Sequence, residues 1–431
     1  MATRSVHGPR IAAESTDAAR PAARRDRLAG PALAFSLSGF FVYLGALAAV
    51  GVEPRTTLTG AYYGLLGVAL VALAWPGRDR VRARIEAGGA TARVFLGCAG
   101  LLASWFLASA ALLSDGTSLS RRLAALLLFW TIPSVLLALS LSRPQLERAL
   151  WTLAALGLLL VAIDVLALLF DRGGDLGDRF SPIPKLDPIT AGQIPALGAL
   201  ALLCLAPRTG RAQAARLGAI FLLAAFTLIP GSRGPLAALA VGAAVVLVLA
   251  WRRTGLRVVV ALVLGVAVGW TIAGAVGTSS HLTSSQLEST ARISSSAIRR
   301  KLIEKALRAV PKRPLLGQGV GTLVDDTPEA HRMGIAGRRT YPHNGFVEAL
   351  YSLGPIGLAL YVAALGAVAV ALVRLLRDRR DALVEFVIAF VCFAFVGSNL
   401  SGELGADAWF WAAAGLAIGV LGGRGPVETG S

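Results

Sequence analysis

The sequence predicts an all-α polytopic membrane protein, with about twelve transmembrane helices and one long extracytoplasmic loop between the ninth and tenth. Three observations predict it. Hydrophobic residues make up 55% of the 431 residues and charged residues 16%, where soluble domains carry roughly 25% charge. The apolar residues fall in continuous runs, mostly about 15–22 residues long, rather than in the short alternating segments of a barrel. Arginines and lysines concentrate in alternate loops, as they do in a multi-pass chain.

The first 30 residues are rich in Ala and Arg and contain no apolar run, so 1–30 reads as a disordered cytoplasmic tail rather than a signal peptide. Spans follow at 32–52, 58–75, 93–113, 123–141, 150–170, 190–206, 216–230, 235–251 and 258–276, giving a first membrane block over 31–276. Segment 277–353 is the long loop. Spans at 354–374, 383–400 and 408–423 form the second block over 354–424, and 425–431 is a cytoplasmic tail. The uncharged part of the 216–230 span is short, yet dropping it would move the basic loops at 252–257 and 374–380 to the outside. Both termini are therefore expected in the cytoplasm, and the long loop outside it.

The formal net charge of +17 does not indicate nucleic acid, because the cations lie mostly in short loops between spans. Cys98, Cys204 and Cys392 each sit inside an apolar run, which gives no disulfide framework and no metal spacing. They read as small packing residues. The extracytoplasmic setting also removes ATP and nucleotide sugars as substrates. A substrate already carried across the membrane on a lipid is the natural class.

Within the loop, Tyr341-Pro342-His343-Asn344-Gly345-Phe346-Val347-Glu348 reads as a histidine at the start of a short helix. Pro342 fixes the preceding chain, Asn344 is a good cap, and Glu348 suits the positive helix end. His343 is either a general base, the usual role of an imidazole that titrates near neutrality, or a residue of the cap. Arg233 lies in the short break Pro230-Gly231-Ser232-Arg233-Gly234 between two spans. It is either a phosphate-binding guanidinium or a snorkelling helix-end charge.

From Ile298 to Val310 the apolar residues Ile298, Leu302, Ile303, Ala306, Leu307 and Val310 fit one helix face. Lys301, Lys305, Arg308 and Lys312 form a basic stripe beside it, with Arg299 and Arg300 at its start. Such a helix can lie on anionic headgroups, and one starting arginine can also reach a lipid-bound diphosphate. Gly317, Gly319 and Gly321 follow Pro314 and suggest a tight backbone turn rather than a dinucleotide fold. Asp325 and Asp326 read as an isolated, solvated pair.

Taken in order, these pieces resemble the O-antigen ligase and Wzy-type polymerase superfamily of bacterial membrane glycosyltransferases. The resemblance rests on the Ser232-Arg233-Gly234 break, the arginine-led helix, the Pro314 to Gly321 turn, His343-Asn344 with Phe346, Glu348 and Leu350, and Leu353-Gly354-Pro355-Ile356-Gly357 opening the next span. It covers 215–375 well. Ile303 stands where the family often has Trp, and Asp187-Pro188 where it often has Asn-Pro.

The resemblance implies a metal-independent enzyme without cofactor, in the bacterial inner membrane, active in polysaccharide biosynthesis for the cell envelope. It implies an undecaprenyl-diphosphate-linked glycan as donor and a glycan or lipid-glycan as acceptor, with membrane lipids around it and no nucleic acid. His343 then corresponds to the residue that activates the acceptor hydroxyl. Arg233 and Arg299, with Arg300 one register away, correspond to the arginines that hold the diphosphate, and Tyr341, Asn344 and Glu348 support the site.

The sequence leaves two enzymatic alternatives open, a repeat-unit polymerase and a shape, elongation and division type glycan polymerase; for the latter it lacks a well-placed extracytoplasmic aspartate. A transporter or lipid flippase is the alternative from another class. It would place ionisable residues within spans, and Asp164 and Glu385 are the candidates.

Overall fold

The computed structural model describes residues 27–39, 56–114, 116–169, 174–175, 180–181, 188–205, 209–275, 295–326, 331, 337–378, 381–401, 404 and 407–423. Most of the expected N-terminal tail, part of the first span, His7 and His281 lie outside them. The described chain is helical, in keeping with the all-α polytopic prediction. Among the described residues its only strands are two short ladders, β1 (Gly174–Asp175) with β2 (Phe180–Ser181) and β3 (Val324–Asp325) with β4 (Arg338–Arg339), both antiparallel.

The helices are α1 (Thr56–Ala74), α2 (Arg78–Leu112), α3 (Ser118–Leu126), α4 (Ile132–Ser140), α5 (Arg143–Leu169), α6 (Pro188–Cys204), α7 (Gly210–Phe226), α8 (Arg233–Ala275), α9 (Ser295–Ala309), α10 (Gly345–Asp378), α11 (Ala382–Ser401) and α12 (Ala408–Gly422). These labels do not coincide with twelve spans. Each expected span from 58–75 onward falls on described helix, but among the described residues seven stretches are long and apolar enough to cross a membrane, with Ile189–Cys204 and Ala408–Gly422 as shorter apolar helices. Expected spans two and three merge in one helical run, Tyr62–Leu112. Conversely, α8 contains two spans, Arg233–Trp251 and Gly255–Ala275. Its backbone leaves helical geometry at Ala250 and Gly255, where the basic loop was expected.

Close packing follows from the small residues. A Cβ on Gly157 of α5 would meet Leu223 Cδ2 at 2.9 Å and the Cα of Gly198 in α6 at 3.5 Å. With no hydrophobic drive between helices in lipid, such close approach is what supplies their dispersion energy. α8 packs on α11, α10 on α2, and α12 on α2 and α4. The largest cluster of buried apolar side chains runs through these contacts, with Phe390 and Phe393 of α11 and Tyr361 of α10 almost completely enclosed.

Two arginines of the expected loops, which the structure places at the starts of helices, also finish neighbouring helices. Buried Arg216 donates through Nε to Leu202 O at 2.7 Å and through Nη2 to Leu203 O at 2.9 Å, satisfying the last carbonyls of α6. Arg84 does the same for α4, donating to Leu139 O at 2.5 Å and Leu141 O at 2.7 Å. A cation at a helix C-terminus meets both unpaired carbonyls and the negative dipole end. Asp381 caps α11, accepting from the Leu383 and Val384 amides, and pairs with Arg143 at 3.2 Å.

Candidate functional site

The site is built on the beginning of α10. Asn344 Oδ1 accepts from the Phe346 amide at 3.1 Å and the Val347 amide at 3.0 Å, so the expected cap forms. The first turns of α10 end at Gly354, where φ is +71° and helical geometry breaks before Pro355 resumes the span. A short helix after His343 and a separate span were both expected, and the structure joins them across this kink.

His343 itself has φ of +56°, the only left-handed non-glycine residue described. This geometry is uncommon for a side-chain-bearing residue and is typically held by its surroundings. The ring centroid lies 4.3 Å from that of Tyr341, with the planes inclined by 53°. Nδ1 is buried and has no hydrogen-bond partner among the described residues. Burial, and secondarily the Arg299 charge, push the imidazole pKa down to about 4. The ring is therefore neutral at pH 7, with an uncommitted proton site.

The charge of Arg299 acts on this ring because α9 docks on α10. Leu302 and Ala306 are buried with Leu323 and Tyr351, and Ile298, Ala309 and Val347 pack around them. The inward face is thus Ile298, Leu302, Ala306 and Ala309. Leu307, expected on that face, is instead 44% exposed. The helix spends its apolar face on protein rather than on lipid. Arg299 is half-buried next to the site, whereas Arg300 points outward in an exposed pair with Glu304 at 3.0 Å.

Of the pair expected to be isolated and solvated, Asp325 is not solvated, and Asp326 is exposed but not isolated. Asp325 is buried in β3, and Asp326 pairs with Lys305. Lys305 Nζ also donates to Val324 O at 2.8 Å, so one member of the basic stripe fastens α9 to the β3–β4 ladder. The lysine beside Asp326 holds its carboxyl below the usual range.

The glycine turn forms as expected and is wedged between α10 and the end of α2. The Gln318 amide donates to Tyr351 O at 2.7 Å and the Gly319 amide to Ser352 O at 3.2 Å. A Cβ on Gly319 would lie 2.7 Å from Leu113 O. Three residues of this grip went unread in the sequence: Trp105 Nε1 donates to Leu353 O at 2.9 Å, Ser109 Oγ to Ser352 O at 3.1 Å and Ser114 Oγ to Val320 O at 2.7 Å. The i, i+4 spacing of Trp105 and Ser109 in an apolar span was the available signal.

Glu348 does more than balance the helix dipole. It is buried, and Oε2 accepts from the Leu404 amide at 3.0 Å, which ties α10 to the segment before α12. Asp407 caps α12 through the Phe410 amide at 3.1 Å. Burial pushes its carboxyl up to about 6, against the opposing pull of Ser398 and the α12 amides.

Residues 218–362 match the family model for O-antigen ligase. The chain carries an O-antigen ligase domain. The matched segment runs from within α7 into the span of α10, and so includes Arg233, α9, the glycine turn and His343. No curated protein matches the chain. The match covers about a third of the chain, and together with the apolar spans it indicates an integral membrane protein with a glycosyltransferase-like domain of the kind found in polysaccharide biosynthesis.

Arg233 of the ligase domain is exposed at the first residue of α8, after Gly231 turns with φ of +71° and buried Ser232. Contacts place it at the same end of the bundle as His343. A Cβ on Gly192 would lie 2.9 Å from Pro235 Cγ, and one on Gly397 would lie 2.9 Å from Gln193 Nε2. Phe395 of α11 then meets Phe346 edge-on at 6.4 Å. The Arg299 charge acts on the His343 ring, and the chain of contacts from Pro235 through Gln193 and Phe395 to Phe346 links the start of α8 to the start of α10. Among the described residues no three His, Cys, Asp or Glu side chains converge to hold a metal.

Proposed function

We propose that this enzyme transfers a glycan from an undecaprenyl-diphosphate carrier to an acceptor hydroxyl on the extracytoplasmic face of the inner membrane, as an O-antigen ligase does. Both termini then lie in the cytoplasm, and 277–353 is the catalytic loop between two membrane blocks. The observation that carries the reading is the pairing of a neutral, half-buried His343, its Nδ1 uncommitted, with Arg299 beside it.

The donor diphosphate lies between Arg233 and Arg299. His343 takes the proton from the acceptor hydroxyl as that oxygen attacks the anomeric carbon. The bond from that carbon to the diphosphate breaks, its electron pair leaves with undecaprenyl diphosphate, and the configuration inverts. Arginines positioned where this charge grows stabilise the transition state without a metal. Tyr341, Asn344 and Glu348 hold the imidazole and its helix.

Donor binding also prepares the base. A diphosphate against Arg299 offsets the cation that helps to hold His343 down, and the proton affinity of the imidazole rises. The base is strengthened only when a donor is present.

Complementation of a deletion strain with wild type, His343→Ala and Arg233→Ala at matched expression tests the reading, with surface glycan sized on gels. Loss of attached polymer while lipid-linked chains accumulate is expected of a ligase. Single repeat units without ladders would mark a repeat-unit polymerase. Unchanged glycan in both variants would sink the enzymatic reading and favour transport, for which buried Asp164 in α5 is the motivating residue.

A further inference from the structure

The inner face of α9 is filled by protein, yet its far end carries a second surface. Arg308 in the last turn, Lys312 in the 3-10 turn that follows (Val310–Lys312) and Arg313 after it are all exposed. Their side chains have no hydrogen bond or ion pair among the described residues. Directly after them, Leu315 is 67% exposed and Leu316 45%. The two neighbouring leucines present apolar area to solvent, and the three cations beside them complement an anionic surface.

Their position fixes what covers them. The turn holding both leucines is pressed against the α10 kink, so closely that a Cβ on Gly354 would lie 2.2 Å from Leu315 O. Two residues beyond the kink, Ile356 on the span is 50% exposed, and Leu112 at the end of α2, which the same turn abuts, is 79% exposed. The exposed leucines are therefore continuous with the lipid-facing ends of two spans, and the cations flank them.

We propose that this edge seats on the anionic phospholipid headgroups of the surrounding leaflet. Leu315 and Leu316 enter the acyl boundary, and Arg308, Lys312 and Arg313 meet lipid phosphates while their aliphatic stems lie along the apolar surface. The anchor sets the height of α9 in the membrane. Arg299 lies nine residues before Arg308, about 13 Å along the helix axis, so seating the far end fixes its distance from the headgroup layer in which a lipid-linked diphosphate lies. The surface itself does not depend on the chemistry at His343.

The test uses the full chain in lipid nanodiscs. A nitroxide is attached through Leu315→Cys in a background with Cys98→Ala, Cys204→Ala and Cys392→Ala. Its accessibility to oxygen, which concentrates in the bilayer, is compared with that to a nickel chelate, which stays in water. With phosphatidylglycerol present the label should favour oxygen, more than in pure phosphatidylcholine, and Arg308→Gln/Lys312→Gln/Arg313→Gln should remove that increase. A nickel-favoured label in both lipids overturns the proposal, as does spin–spin broadening from a second copy packed on this face. Should the cysteine-free background fail to fold, native mass spectrometry of the otherwise wild-type protein replaces it. The triple variant should lose its preference for phosphatidylglycerol over phosphatidylcholine by about tenfold or more, and an unchanged preference overturns the idea. His343→Ala should leave every reading as in wild type, so failure here leaves the transfer chemistry standing.

Discussion

The Arg299 guanidinium lies near enough to His343 that its charge adds to burial in holding the imidazole neutral. A helix from the loop and a helix leading into the membrane thus contribute one residue each to a single electrostatic unit. The pairing arises because Leu302 and Ala306 seat α9 against Val347 and Tyr351.

The first prediction concerns pH. With the His343 pKa near 4, kcat/KM for transfer should keep its acid limb close to pH 4 rather than near the ordinary histidine value of about 6.5. Arg299→Gln removes a cation that lowers this pKa, so the limb should move upward. In kcat, which reports the donor-bound state, the limb should already lie higher in wild type. Stability follows the same sign: the unfolded histidine takes a proton first, so the contribution of a neutral His343 is present above about pH 6.5 and is lost as pH falls towards 4. Rate profiles and melting curves between pH 4 and 8 check both. Coincident limbs in kcat and kcat/KM would refute activation by the donor.

A second prediction uses the backbone. His343 sits at φ of +56°, where glycine is relaxed and alanine is strained. Both His343→Gly and His343→Ala should lose transfer by a factor of about 100 or more if the imidazole is the base. The glycine variant should nevertheless melt higher than the alanine variant, by about 1 kcal/mol in stability. Equal melting would show that the turn relaxes around the substitution.

The third separates two adjacent arginines. Arg300 pairs with Glu304 at the exposed surface, and such pairs contribute little. Arg300→Gln should leave transfer close to wild type and stability within about 0.5 kcal/mol. Arg299→Gln should raise the donor KM and lower kcat. The reverse pattern would assign the diphosphate to Arg300.

A fourth addresses the α10 kink. Gly354 has φ of +71°, and a Cβ there would clash with Leu315 O. Gly354→Ala should cost about 2 kcal/mol or more and lower the melting temperature in detergent. It should also loosen the glycine turn, which hydrogen-deuterium exchange at Gln318 and Gly319 would report. An unaltered exchange rate would argue against the wedge.

By itself the sequence determined the fold class, because apolar runs of membrane-spanning length leave a chain in lipid no alternative to helices that satisfy their own backbone. It also located the His343 cap and the glycine turn, since Pro, Asn and Gly restrict the backbone locally. The sequence did not reveal which arginine faces His343, because Arg299 and Arg300 are chemically alike and only the docking of α9 turns one inward. Nor did it show that Leu307 is left outside, that Asp325 is buried, or that Glu348 binds the Leu404 amide. Those outcomes depend on contacts between segments far apart in the chain, and helical periodicity is silent about which neighbour covers a face. Local chemistry fixed the parts; packing decided which of them meet.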